Sequence, residues 1–247
     1  MYQHNVIENT GRVTAGTTHR EYDGKDFNLS LGAGDTSQSL SHRKALFYSL
    51  SLPLENGIFA RQVHGDKVLE ISLSEKGLEG DGPTLPECDG LMTSRPEVVL
   101  CIQTADCYPI FMYDPVHQAI ALIHAGWRGT ARKITYKTIH LLSEAYQSNP
   151  EDLIVSIGPG IHSCCYEVSH QFMDDFSPQV LKKRKDQYYL DLLKENVLQA
   201  QAAAVPEDNI LIESSLCTVC HLDRFYSHRK EGSLSGRMVS FLSLKQE

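Results

Sequence analysis

The sequence predicts a mixed α and β fold, organised as a single domain over residues 1–247. Three observations predict it. Short apolar runs bounded by Gly, Pro, Asn and Asp outnumber the helix-like stretches. No internal repeat, low-complexity linker or break in composition divides the chain. Its 247 residues, 41% of them hydrophobic, are enough to bury a sizeable core.

Taken in order, residues 12–19 read as a strand, and Thr36 to Leu50 as a helix behind a Thr-Ser start. GIFARQV (57–63) and KVLEISL (67–73) predict two strands joined through His64-Gly65-Asp66, whose Gly and Asp suit a tight hairpin. Residues 74–90, crowded with Gly, Pro and acidic side chains, read as an exposed loop. The most apolar runs are EVVLCIQ (97–103), YPIFMYD (108–114) and QAIALIHA (118–125), which predict buried strands with Asp114-Pro115 turning the chain between the last two. Thr130 is placed to cap a helix that carries Ile134, Leu141, Leu142 and Ala145 on one face and stops at Asn149-Pro150. LIVSIG (153–158) predicts a further strand, Asp191 caps a helix running into the alanines of 200–204, and GRMVSFLSL (236–244) predicts a last strand.

The formal net charge of -8, with 31 acidic against 23 basic residues and no block of lysines and arginines, argues against nucleic acid as a partner. The start MYQHNVIENTGRVTAG lacks a basic patch followed by an apolar stretch, and no run approaches the ~18 apolar residues of a membrane span. The expectation is a cytoplasmic protein without a membrane partner. Seven cysteines, an odd number, read in a reducing compartment as thiols or metal ligands rather than a disulfide framework. Cys101, inside VVLCI, reads as core.

Ligand-capable side chains stand where apolar strands give way to loops in RQVHGD (His64), QTADCYP (Cys107) and LIHAGWRG (His124). Such junctions hold a functional group at the rim of a rigid sheet. The three are far apart in sequence, so spacing alone carries little. Their chemistry carries more: two imidazoles and one thiolate leave a tetrahedral zinc with an open position, as catalytic sites require. One thiolate leaves positive charge on the unit, so the ion retains Lewis acidity. Taken singly, each histidine is equally a solvated surface residue and Cys107 a buried thiol. His4, His19, His42, His117, His140 and His170 are of that ordinary kind.

The runs RQVHGDKV, CDGLMTSRPEVVLCIQTADCYPI, IALIHAGWRGT, GPGIHSCCYEV and CTVCHLDRFYSHRKEGSLSGRMVS resemble, in order, the blocks of the YfiH-type laccase-domain family. The resemblance implies a single-domain, four-layer α/β/β/α fold and a zinc site at His64, Cys107 and His124. It further implies phosphorolysis of adenosine, inosine and S-methyl-5'-thioadenosine, with adenosine deaminase activity, so that purine nucleosides and phosphate are the partners. The chain departs from the family at His162-Ser163, where Gly-Pro is usual, and at His228-Arg229-Lys230, where Tyr-Arg-Arg is usual. No phosphate-binding role is carried over to Arg229 on that account.

Phosphorolysis needs cationic donors for the attacking phosphate, and forked guanidinium groups suit that task. Arg61 and Arg128, next to the metal ligands, are the candidates for phosphate or ribose; solvation or an ion pair is the plainer fate for either. Asp106 and Asp89 are able to orient a ligand histidine or act as acid or base, although for Asp89, before Gly90, a turn-forming bond is the plainer reading. Trp127 suits stacking on a purine or anchoring the core. Cys217-Thr218-Val219-Cys220, with Cys164 and Cys165, offers a second, structural zinc cluster or a redox couple, but packed thiols without metal are the plainer reading, since one C-x-x-C is a weak signal.

Two other chemistries compete. Cys107 as nucleophile with His124 or His64 as base would make a cysteine hydrolase. A copper-dependent polyphenol oxidase is disfavoured, because none of the 11 histidines forms a His-x-His and no obvious axial methionine lies near the three residues, Met112 being the one left open. A non-enzymatic protein that uses the metal for stability would unfold on chelation.

Overall fold

The computed structural model describes residues 1–32, 34–72, 86–212 and 217–245. The chain opens with β1 (Tyr2–His4) and β2 (Val13–Thr18), a two-stranded hairpin of β3 (Glu21–Tyr22) and β4 (Lys25–Asp26), and helix α1 (Thr36–Ser49). There follow β5 (Gly57–Phe59), β6 (Val68–Glu70), β7 (Gly90–Thr93), β8 (Val99–Thr104), β9 (Tyr108–Asp114) and β10 (Ala119–Ala125). Helices α2 (Trp127–Ala131) and α3 (Ile134–Tyr146) lead to β11 (Ile154–Ile157). A small sheet of β12 (Glu167–Val168), β13 (Leu181–Arg184) and β14 (Gln187–Leu190) precedes α4 (Leu192–Ala202). The chain closes with β15 (Ile210–Ile212), α5 (His228–Glu231) and β16 (Met238–Leu244).

Two sheets form the centre, one of order β1-β2-β16-β8-β5 and one of order β15-β11-β9-β10-β7-β6. The period-2 alternation of each strand decides what lies on either side. From β8 and β16, Val99, Cys101, Val239 and Phe241 face Leu46 and Phe47 of α1, while Leu100, Ile102 and Leu242 face the other sheet. From β9, Phe111 and Tyr113 meet that inter-sheet filling, whereas Ile110 and Met112 turn outward to Ile134, Ile139 and Leu142 of α3 and Ala200 of α4. The layers therefore run α1, sheet, sheet, α3 with α4, which is the α/β/β/α arrangement expected. Strands β9 and β10 are covered on both faces and buried at every residue, the reason their sequences are almost continuously apolar. Cys101 is fully buried, and burial pushes its thiol up to about 12.

Phe111 fills the space between the sheets with no exposure. Phe111→Ala should cost about 3–5 kcal/mol through lost burial and the cavity left behind. A urea denaturation midpoint that barely moves would contradict this packing.

Several local expectations are corrected. The two strands around His64 do not form a hairpin. β5 pairs in parallel with β8 in the first sheet, while β6 pairs in parallel with β7 in the second. The intervening segment crosses from one sheet to the other, and the strands are shorter than 57–63 and 67–73. Thr130 caps no helix, because it lies inside α2 and its hydroxyl accepts from Asn196 Nδ2 of α4 at 3.2 Å. The helix that follows starts after Lys133, whose left-handed φ of 64° separates α2 from α3. Ala145 is exposed, off the buried face of α3. Helix α1 is capped by Asp35, whose carboxylate accepts from the amides of Ser37 and Gln38. Most of the loop expected over 74–90 lies outside the described residues. Asp191 caps α4 as read, accepting from the Lys194 amide.

Candidate metal centre

Three connections at one end of the sandwich build the site. His64 lies on the segment that carries the chain from β5 to β6, hence from one sheet to the other. Cys107 lies on the segment between β8 and β9, which makes the same crossing a second time. His124 sits near the end of β10, opposite Pro109 of β9. Their ligand atoms all lie within 4.8 Å of one another, so the three residues singled out in the sequence converge on one point.

Asp89 organises the cluster. It is completely buried just before β7. One carboxylate oxygen accepts from the His64 amide at 2.9 Å and from His124 Nδ1 at 2.8 Å. The other accepts from the amides of Val63 at 3.1 Å and Gly65 at 2.6 Å. His64 adopts a left-handed φ of 59°, which turns three successive N–H groups toward the same anion. Burial works to raise the Asp89 pKa, but the bonds from His124, Gly65 and Val63 outweigh it and hold the carboxyl below its usual range. The sequence admitted a turn bond at Asp89; in the structure it instead orients His124, one of the three clustered donors.

With Nδ1 of His124 engaged, its Nε2 is the nitrogen left for a ligand. Burial alone would push the Cys107 thiol up, yet the His124 and His64 imidazoles bring it down to about 6. Burial would lower His124, while the Cys107 sulfur and the Asp89 carboxylate raise it to about 9. The trio thus stabilises a thiolate facing positive charge, the charge a metal cation would supply in place of a proton. Gly126 completes the cradle: a Cβ there would sit 3.1 Å from Cys107 Sγ, 3.4 Å from His64 Cδ2 and 3.5 Å from His124 Cε1. His124 is buried, Cys107 half-buried and His64 exposed, so an ion held by the three would keep an open side. The donor set fits one metal cation.

That open side faces a cavity of about 580 Å³. Arg61 and Arg128, as expected, line it. Arg61 faces Glu87 at 3.5 Å, but both side chains are more than half exposed and the pair holds it only weakly. The Arg128 guanidinium lies 4.4 Å from the centre of the Trp127 ring, and Trp127 packs on Phe172 at 4.8 Å. Trp127 therefore both lines the cavity and anchors the helical layer. Asp106, at φ 87°, is engaged elsewhere: its carboxylate accepts from Thr218 Oγ1 and from the Arg229 amide, each at 2.6 Å.

The cavity wall also carries Tyr166 and Arg237, which the sequence did not single out, and Arg229, from which a role was withheld. Arg229 lies over the Tyr166 ring at 5.1 Å and donates to the Glu167 carbonyl at 2.9 Å. Arg237 is fixed by donation to the carbonyls of Ser235 and Gly236. The only signal for the two arginines was their place in a tail block rich in Arg and Lys, and for Tyr166 its place in the run GPGIHSCCYEV. Cys164, Cys165, Cys217 and Cys220, read as mere packing, also come together as a group able to hold an ion.

Residues 9–245 match the family described as multi-copper polyphenol oxidoreductase laccase. The chain is 34% identical over 231 residues to the purine nucleoside phosphorylase YlmD of Geobacillus stearothermophilus, covering 89% of this chain and 84% of that one. It is 31% identical over 230 residues to a purine nucleoside phosphorylase of Bacteroides thetaiotaomicron, covering 87% and 83%. The crystal structure of YlmD from Geobacillus stearothermophilus superposes with a TM-score of 0.90 at 32% identity, over 95% of this chain and 92% of that one. That of the Bacillus licheniformis hypothetical protein YfiH gives 0.89 at 32% identity, over 96% and 94%. With the fold and nearly the whole length in agreement, the chain belongs to this laccase-like family, the one that contains YlmD and YfiH.

Proposed function

We propose that the chain is a zinc-dependent purine nucleoside phosphorylase of the cytoplasm. It acts on adenosine, inosine and S-methyl-5'-thioadenosine, and carries adenosine deaminase activity as a second reaction. The observation that carries this reading is the His64, Cys107, His124 cluster opening onto a cavity with guanidinium groups on its wall. The names of the relatives support the reaction class. The cavity volume falls in the range for a small-molecule site, ~300–1,000 Å³.

In phosphorolysis a phosphate oxygen forms a bond to the ribose anomeric carbon. The glycosidic bond breaks, and its electron pair leaves with the purine, which takes up a proton. Arg61 and Arg128 bind and orient the phosphate through forked N–H donors. Trp127 and Tyr166 offer aromatic faces to the base. Asp89 keeps His124 in the tautomer that presents Nε2. Asp106 holds the Thr218 and Arg229 segments against the site. Zinc, when bound, supplies Lewis acidity to that pocket.

The deciding experiment measures metal content and purine release from adenosine, with and without phosphate, on wild type and on Cys107→Ala. Phosphate-dependent release that falls more than about 100-fold together with the metal is expected, since the cluster is asked for several kcal/mol of transition-state stabilisation. Release that ignores phosphate and survives metal loss would overturn the proposal.

A second reading is favoured by one observation: Cys107, His124 and Asp89 are also lined up as nucleophile, base and orienting carboxylate. A coordinated thiolate is slow to react, so rapid alkylation of Cys107 in metal-loaded protein would favour the hydrolase. Copper, which the family description suggests, finds no support in Met112. That side chain packs in the helix-covered core, three residues or about 10 Å along β9 from Pro109, the partner of His124.

A further inference from the structure

We propose that Cys164, Cys165, Cys217 and Cys220 form a second, closed metal site, a zinc tetrathiolate that clips two chain segments together beside the cavity. The sulfurs of Cys164 and Cys165 lie 3.6 Å apart, those of Cys164 and Cys217 3.6 Å, those of Cys164 and Cys220 3.7 Å, and those of Cys165 and Cys220 3.5 Å. All the pairs fall within 4.8 Å. A tetrahedron of sulfurs bound to zinc at about 2.3 Å has edges of about 3.8 Å. The arrangement is therefore close to the one a single ion would impose.

The backbone is folded for the same purpose. The amides of Cys220 and His221 both donate to the Cys217 carbonyl at 3.1 Å, bending the C-x-x-C segment so that its two sulfurs converge. The His162 amide points at Cys217 Sγ from 3.5 Å, a donor that would stabilise a thiolate. Weak S–H bonds give little reason for four thiols to gather at the surface. Cys164 and Cys220 are exposed and Cys165 is only half-buried, so burial of apolar sulfur does not explain the cluster. A shared cation does. Four soft thiolates and no open position select zinc or iron chemistry and a structural role.

The location says what the clip secures. Strands β11 and β15 run parallel, with β15 at the sheet edge. Beyond both strands, Gly160 and Cys217 form an isolated parallel bridge. Thr218, next to Cys217, donates to Asp106, which adjoins the Cys107 ligand. The Ile161 amide donates to the Asp106 carbonyl at 2.8 Å. The second ion would thus tie an edge strand to the wall of the first site without touching substrate.

Zinc per chain, measured on protein produced with zinc, tests this. Wild type should hold about two equivalents, with Cys107→Ala and Cys164→Ser/Cys220→Ser each losing a different one. As a measurement on unmutated protein, native thiol titration should expose four more reactive thiols after chelation than the Cys107 site accounts for. One equivalent that survives Cys107→Ala and disappears with Cys164→Ser/Cys220→Ser would support the tetrathiolate even if the phosphorylase reading failed. A wild type with a single equivalent that vanishes in Cys107→Ala overturns the proposal, as does the finding of these four cysteines as disulfides in freshly isolated protein.

Discussion

Asp89→Ala should leave a protein that binds its metal at least 10–100-fold more weakly and is destabilised by about 3–5 kcal/mol. The first figure follows from the loss of the carboxylate that orients a ligand histidine. The second follows from stripping four donors, Gly65 N and His124 Nδ1 buried and Val63 N and His64 N part-buried, of their common buried acceptor. Asp89→Asn should not rescue it, for a reason specific to the geometry. Each carboxylate oxygen accepts from two donors, His64 N with His124 Nδ1 on one side and Val63 N with Gly65 N on the other. An amide keeps only one acceptor oxygen, and whichever way it flips, its NH₂ meets two N–H groups. The depressed pKa fixes the sign of the pH effect: the stabilisation by Asp89 is present above the unfolded carboxyl value of about 4 and is lost as pH falls through its lower folded value. Metal affinity by chelator competition and urea denaturation check the outcome. Wild-type affinity in Asp89→Asn would refute this role.

Gly129→Ala should reduce activity by about 100-fold although the residue touches no ligand. A Cβ at Gly129 would lie 2.5 Å from the Gly65 carbonyl oxygen, which is backbone and cannot rotate away. Either α2 retreats, moving Trp127 and Arg128, or Gly65 shifts and carries His64 with it. Displacements near 1 Å are worth about 100-fold where geometry sets the rate. The variant should also bind metal more weakly, by chelator competition, while staying folded by circular dichroism. Unchanged kinetics and affinity would show that the two segments yield without moving the site.

These effects bear on what the sequence could reveal. His64, Cys107 and His124 were legible because a ligand-capable side chain followed by glycine or a sharp turn at the end of an apolar run is a local pattern. The buried strands 108–114 and 119–125 were legible for the same reason, as continuous apolar runs. The hairpin at His64-Gly65-Asp66 was misread because a loop between two strands looks alike whether the strands pair with each other or with partners in different sheets. That choice is made by β8 and β7, far along the chain. Asp89 was misjudged because its partners lie about 25 residues before it and 35 after it. The break at Lys133 left no mark, since a lysine in a left-handed conformation carries no glycine signal.

Two of the three clustered donors, His64 and Cys107, ride on the segments by which the chain changes sheet, while the third, His124, belongs to a strand of one sheet alone. Any sliding of one β layer over its neighbour would therefore register directly as a change in ligand spacing. Tight interlocking of Phe111, Tyr113, Leu100 and Leu242 resists that shear, so hydrocarbon contacts remote from the solvent set the tolerance to which the ligands are held.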